Sequence, residues 1–289
     1  MDRAQKSHKC RLCGSTEIHD YFTCRGYNLF QCDACAYVQI ADRPPAAEIS
    51  EIYGDCYFVS NKYKDTNILD WENQRRLKIL ASFLPHATAR VLDAGCAAGD
   101  FLLTAKNQYQ MHGCDISSFA VDIARKKNPD IADNIFVSDL DACALQAGMY
   151  DAICLWDVIE HLWDPLVVCN ALATMLKPSG LIFISTPDIG SVTARLMRQR
   201  WAFMTPPEHM GFFNSKSLRH LFEKILPFRI VYRKISGKWT NLGFLVYKLR
   251  RVLPALVPEA LVNALGKSRV GRLPLYVPTH DIQYIVAQK

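Results

Sequence analysis

The chain has 289 residues, half of them hydrophobic, with a net charge of +6 and eleven cysteines. That length accommodates one large domain and a small one, and that apolar share excludes global disorder. No apolar run reaches the ~18–20 residues of a membrane span, and the N-terminus, MDRAQKSHKC, lacks the apolar core of a signal peptide. The expectation is a cytoplasmic protein whose cysteines are metal ligands and reduced core thiols rather than disulfides.

Residues 1–43 are expected to form a small module. Cys10-x-x-Cys13 and Cys32-x-x-Cys35 are separated by 18 residues. Each pair fits a tight knuckle, and two knuckles bring four thiolates within tetrahedral reach of one Zn²⁺. Four thiolates leave no open position, so the expected metal is structural and supplies folding energy that so short a segment lacks. Cys24 lies between the knuckles without a partner at that spacing. Residues 44–85 read as a helical linker or lid. It opens on Asp42-Arg43-Pro44-Pro45 and carries a helical pattern from Ile68 to Leu84. Its aromatic cluster, Tyr53, Tyr57, Phe58 and Tyr63, either covers the mouth of a site downstream or packs between two domains.

From Arg90 onward strands and helices alternate. Strands are expected at 91–93, 111–115, 135–138, 150–156 and 181–186, with helices at 99–108, 118–127, 164–176 and 215–225. Two more strands, 228–235 and 282–287, flank an excursion over about 238–280 that contains four prolines. This alternation predicts an α/β fold over 86–289, a doubly wound and mostly parallel seven-stranded sheet.

Arg90–Leu102, RVLDAGCAAGDFL, carries the chemistry. A buried strand runs into Asp93, then a turn of small residues, Gly95-Cys96-Ala97-Ala98-Gly99, then a helix. The next strand ends in another acid, Asp115. Small residues let backbone approach a ligand, and an acid at the second strand tip accepts hydrogen bonds from ribose hydroxyls. The spacing is not the G-x-G-x-x-G of a pyrophosphate cradle, and no Lys-Ser/Thr follows to hold phosphate and Mg²⁺, so a ribose-containing ligand without phosphate fits better.

These residues resemble the class I S-adenosylmethionine (SAM)-dependent methyltransferases, whose first motif is E/D-x-G-x-G-x-G. Ala97 stands where that family has its middle glycine, and its methyl is tolerable if φ is negative. The resemblance continues through Asp157-Val158-Ile159-Glu160-His161-Leu162-Trp163-Asp164-Pro165, Leu176-Lys177-Pro178-Ser179-Gly180-Leu181 and Pro206-Pro207-Glu208-His209-Met210-Gly211-Phe212-Phe213. With the cysteine knuckles in front, the order is similar to the zinc-containing sugar methyltransferases, over about residues 8–235 and the last strand. The resemblance implies a cofactor site of Asp93, Gly95, Cys96, Ala97, Gly99, Asp115, Ile116, Asp139, Leu140, Trp156 and Asp157. The sugar C-methyltransferases carry a further C-terminal domain, which is not expected within these 289 residues. O-methylation of a sugar, polysaccharide precursor or related small molecule is therefore expected ahead of C-methylation of a nucleotide-linked ketosugar.

A hydroxyl acceptor must lose a proton, which calls for a base near neutral pKa. His161, just past the fourth strand, and His209, after the fifth, are the candidates, and Glu208 is a candidate to orient one of them. Each histidine has a structural alternative, His161 at a helix start and His209 as an anchor for Trp201 or Phe213. Residues 195–275 carry 16 Lys and Arg against 3 Asp and Glu. Within this region Phe244, Leu245, Leu249, Val252, Leu253 and Leu256 recur at helical spacing. The stretch either lies on an anionic membrane surface or serves as a cap or dimer contact. An RNA-modifying enzyme is the alternative of another class. The sequence has neither an RNA-reading aromatic motif nor the Asn-Pro-Pro-Tyr of amino-group methylation.

Overall fold

The structure, a computed structural model, describes residues 9–52, 66–140, 147–252 and 256–289. The aromatic cluster at Tyr53, Tyr57, Phe58 and Tyr63 lies outside the described residues.

The N-terminal segment folds as three antiparallel strands, β1 (Ile18–Cys24), β2 (Tyr27–Cys32) and β3 (Val38–Ile40). A fourth strand, β9 (Gly211–Phe212), arrives from far along the chain and pairs with β3. The module has no core of its own. Leu12 and Tyr37 are buried in the same cluster as Ile184, Phe213 and Leu218 of the main body. Arg11 ties the two together. Its guanidinium donates to the carbonyls of Ile40 and Met210, each at 2.8 Å, and lies 3.7 Å from the centre of the Trp163 ring.

The main sheet has seven strands in the order β10-β11-β8-β7-β4-β5-β6. Five are parallel: β4 (Arg90–Ala94), β5 (Gln110–Asp115), β6 (Ile135–Val137), β7 (Tyr150–Trp156) and β8 (Leu176–Pro187). The central strands are buried on both faces, which is why they read as unbroken apolar runs. Two antiparallel strands, β10 (Arg229–Asn241) and β11 (Pro274–Gln288), close one edge.

Helices cover both faces. α1 (Ala46–Ile52) and α2 (Thr66–Phe83) precede the first parallel strand. α3 (Asp100–Ala105), α4 (Ser118–Lys127) and α5 (Pro165–Met175) are the crossovers. Ser117 caps α4 by accepting from the Ala120 amide, and Asp164 caps α5 from the Val167 amide ahead of a proline at its first turn. α6 (Val192–Met197) and α7 (Ser215–His220) follow β8. α8 (Leu242–Val252) and α9 (Glu259–Lys267) fill the excursion between β10 and β11.

Several elements differ from the sequence expectation. The helix expected over 215–225 is α7 followed by a π-turn at Leu221–Ile225. The last two strands are longer than expected, so the excursion shrinks to 242–273. Two of the excursion's four prolines, Pro274 and Pro278, are accommodated in strand. Pro274 opens β11, and Pro278 falls where the pairing jumps from Lys238↔Val277 to Ser236↔Ile282. A strand start and a bulge are the positions where a missing amide proton costs no ladder bond.

Candidate active site

Three parallel strand tips converge where the glycine-rich turn lies. Asp93 near the end of β4 is 2% exposed, and Asp115 ends β5. The Asp115 carboxylate accepts from the Ala97 amide at 2.9 Å and the Ser117 amide at 3.0 Å, so it holds the turn's shape. Gly95 and Gly99 have φ of +85° and +76°, and a Cβ on Gly95 would meet Val158 at 2.6 Å. Both features require glycine. Ala97 has φ +47°, not the negative value a methyl prefers. Asp157, just past β7, is left-handed too, at +57°. Non-glycine residues in this region store strain, and both follow parallel strands, β4 and β7. Cys96, Leu140 and Trp156 are buried, and Asp139 and Ile116 are exposed.

The sequence reading missed Arg76. It projects from α2, ion-pairs with Asp157 and lies 5.5 Å from the Trp156 ring centre. Burial opposes its charge, but Asp157 chiefly, with help from Glu72 and Asp93, keeps it firmly protonated. Burial pushes Asp93 up to about 7 even though Arg76 pulls the other way, and Asp115 adds to the rise. Burial also raises Asp115, against the amides of Ser117, Ala97 and Ile116. Among the described residues, Arg76 Nε and Trp156 Nε1 are buried donors without a hydrogen-bond partner. Two neighbouring orphaned donors fit a ligand that carries an acceptor. The only sequence signal for Arg76 is its position one turn before the buried Leu80, on the helix face that packs the sheet.

The two histidines do meet. His161 and His209 have ring centres 4.7 Å apart, edge to face. His161 Nδ1 donates to the Glu208 carbonyl at 2.8 Å, and His209 Nδ1 donates to the Phe203 carbonyl at 2.7 Å. A carbonyl only accepts, so Nδ1 carries the proton in each ring and Nε2 is the basic nitrogen. Glu208 therefore contacts His161 through its main chain. Glu160, which sequence reading passed over, joins the pair. It is buried, accepts from Thr186 Oγ1 at 2.9 Å, and offers an oxygen within 4.8 Å of both imidazoles.

The four knuckle cysteines form a separate cluster. Cys10 and Cys35 sulfurs are 3.6 Å apart, as are those of Cys13 and Cys32, and all four lie within 4.8 Å of one another. A tetrahedral zinc with bonds of about 2.3 Å would set its sulfurs about 3.8 Å apart, so the cluster fits that ion. Gly14 and Ala36, at φ +74° and +60°, let each knuckle fold back, and their amides donate to the Cys10 and Cys32 carbonyls at 2.8 Å. The Cys35 thiol, by hydrogen bonding, holds Cys10 down at about 5, while burial lifts Cys13 to about 11.

Residues 70–225 match the family described as "Methyltransferase domain". A ubiquinone biosynthesis O-methyltransferase of Xanthomonas axonopodis pv. citri is 36% identical over 120 residues, 39% of this chain and 49% of that protein. Its counterpart in Xanthomonas euvesicatoria pv. vesicatoria is 34% identical over the same length and shares. The chain spans about half the length of these curated relatives. The magnesium protoporphyrin IX methyltransferase of Synechocystis, solved with bound SAH, superposes with a TM-score of 0.56 at 14% identity, over 85% of this chain and all of that one. The YcgJ protein of Bacillus subtilis gives 0.52 at 14% identity, over 75% and 98%. At these identities the likeness is one of fold. The family match covers more than half of the residues and includes every parallel strand, so this chain belongs to the methyltransferase domain family.

Proposed function

We propose that this protein transfers the methyl group of SAM to a hydroxyl of a sugar, a polysaccharide precursor or a related small molecule. The observation that carries the reading is that one chain holds both an acid-flanked glycine turn and a Glu160–His161–His209 cluster, linked by Val158, which packs on Gly95 two residues before Glu160. SAM when bound supplies an electrophilic sulfonium methyl. Asp115 would accept the ribose hydroxyls. Asp93 would answer the ammonium, and Arg76, with Trp156 Nε1, the carboxylate. Ile116, 59% exposed, offers an apolar face to the adenine, with Asp139 and Leu140 on its far side. Gly95, Cys96, Ala97 and Gly99 bring backbone close, and Asp157 sets Arg76 in place.

His161 acts as general base, taking the acceptor's proton on Nε2 while the Glu208 carbonyl holds its tautomer. His209 and Glu160 shape the acceptor side and stabilise the imidazolium that results. Cys10, Cys13, Cys32 and Cys35 would hold one Zn²⁺. That ion gives the module its fold and takes no part in transfer, because four thiolates saturate it. This divides the chain into a zinc module at 1–43, a linker or lid at 44–85 and a catalytic domain at 86–289, working in the cytoplasm. The relatives' names favour a second acceptor class, the phenol of a quinone precursor.

Calorimetric titration tests the donor site. Asp115→Ala should lose about 1.5–3 kcal/mol of SAM affinity, the worth of hydrogen bonds to a charged acceptor. Unchanged affinity would remove Asp115 from the site. Incubation with cell extract and labelled SAM then identifies the acceptor class.

A further inference from the structure

A second cleft, about 550 Å³, opens between the cysteine module and the end of β8. That volume is in the range of small-molecule sites. Asp188 forms part of its wall. This residue follows β8, is 6% exposed, and accepts from the Gly190 amide through Oδ1 at 2.8 Å. Among the described residues its other oxygen accepts no hydrogen bond. Asp188 is pinned from behind, its amide donating to the Asp281 carbonyl at 2.8 Å. A largely buried carboxylate with one unpartnered oxygen, in the wall of a polar cleft, suits a donor from a ligand.

Three cations line the same cleft: Arg195 on α6, Lys216 on α7 and Arg233 on β10. Arg195 and Arg233 both act electrostatically on Asp188. Among the described residues neither has a carboxylate within ion-pairing distance. Among the described residues Lys216 hydrogen-bonds the Asp33 carbonyl, at 3.3 Å, and no carboxylate. Even with the buried Asp281 behind Asp188, three positive charges exceed the acids beside them, and guanidinium groups match phosphoryl oxygens. Tyr21 and Gln31 add an aromatic face and an amide from the module. A bare phosphate would meet the Asp188 carboxylate as a like charge. A neutral sugar would leave the cations unanswered. A ligand that carries both hydroxyls and a phosphoryl group answers both.

We propose that this cleft binds a phosphorylated sugar or polyol, with Asp188 accepting its hydroxyls and Arg195, Arg233 and Lys216 holding its phosphoryl group. The site adds to the methyl-transfer reading and does not rest on it. The ligand is either the methyl acceptor itself or a separate phosphorylated metabolite.

The full chain, without methyl donor, is titrated by calorimetry with glucose 1-phosphate, glucose and inorganic phosphate. Glucose 1-phosphate should bind at least tenfold more tightly than either other probe. Arg195→Ala and Arg233→Ala, both at exposed positions, should each weaken it about tenfold without lowering the melting temperature. Asp188→Asn should weaken glucose 1-phosphate yet tighten inorganic phosphate, because it removes a like charge, whereas a merely structural Asp188 would weaken both. No heat with any probe at millimolar concentration, equal affinities for all three, or arginine variants that bind like wild type would overturn the proposal. Labelled SAM added to the saturated protein separates the sources: label in glucose 1-phosphate marks acceptor chemistry, and binding without label marks a separate ligand. Donor affinity, titrated alone, distinguishes loss of this site from loss of the methyltransferase reading.

Discussion

Asp93 sits between opposing influences, and their balance is measurable. Burial raises its folded-state pKa to about 7, while Arg76 from α2 lowers it and Asp115 from β5 raises it. The thiols of Cys96 and Cys154 are its other titratable neighbours. A carboxyl raised above its ordinary value of 3.8 stabilises the fold when protonated. That contribution is complete below the ordinary value and is lost as pH rises through about 7. At pH 8 the ionised group should cost on the order of a few kcal/mol. Asp93→Asn is therefore expected to be more stable than wild type in urea at pH 8, with little difference at pH 4. The same gap at both values would refute the assignment. Ala97 offers a second test. Left-handed backbone costs a non-glycine residue about 1–2 kcal/mol, and the extra unfolded-state freedom of glycine returns about 0.4–1 of it. Ala97→Gly should thus be stabilising by up to about 1 kcal/mol, read as a higher melting temperature. At His161 the readout is kinetic. His161→Ala should leave SAM affinity nearly intact and cut turnover by about 10²–10⁴. Wild-type turnover in that variant, with an inactive His209→Ala, would move the base to His209.

At the scale of elements, the critical join is between β3 and β9. A Cβ on Gly211 would fall 1.8 Å from the Tyr37 hydroxyl, deep in the shared core. Tyr37 has nowhere to move, since it also packs on Phe213 at 4.8 Å. Gly211→Ala should cost about 1–3 kcal/mol, the usual penalty of overpacking, and loosen the module from the sheet. Faster proteolysis near residues 36–40 together with a lower melting temperature would confirm it, and an unchanged melt would not fit. Sequence periodicity found the parallel strands because their apolar runs are local. It missed β9 because a two-residue strand has no period, and its pairing is decided by a partner some 170 residues away.

Across the whole molecule, metal and charge set the tests. Chelation of zinc, or Cys32→Ser, should lower the melting temperature and unfold the module, because the cluster sits beside Leu12 and Tyr37 in the common core. The excursion carries Phe244, Leu245, Tyr247 and Leu249 exposed on α8, with six Lys and Arg and one Glu across 242–273. No helix among the described residues is long and apolar enough to cross a membrane. An exposed apolar helix with excess positive charge suits the surface of an anionic bilayer. The protein is expected to float with anionic vesicles at low salt and to release as salt screens the charge. If it stays behind while forming dimers, the apolar face meets a second copy instead.

By itself the sequence determined what short-range chemistry dictates: the strand–turn–helix at Arg90–Leu102, the acids at two strand tips, the knuckle spacing and the alternation that yields a parallel sheet. Each of these is built from short stretches of chain, where backbone geometry and side-chain period act directly. Only the tertiary structure decided that Arg76 reaches Asp157 across 81 positions, that Glu160 and His161 meet His209, and that Asp188 shares a cleft with three cations from three different elements. Those meetings depend on how helices and loops pack around the sheet. That packing is the joint outcome of the whole core, and no local pattern encodes it.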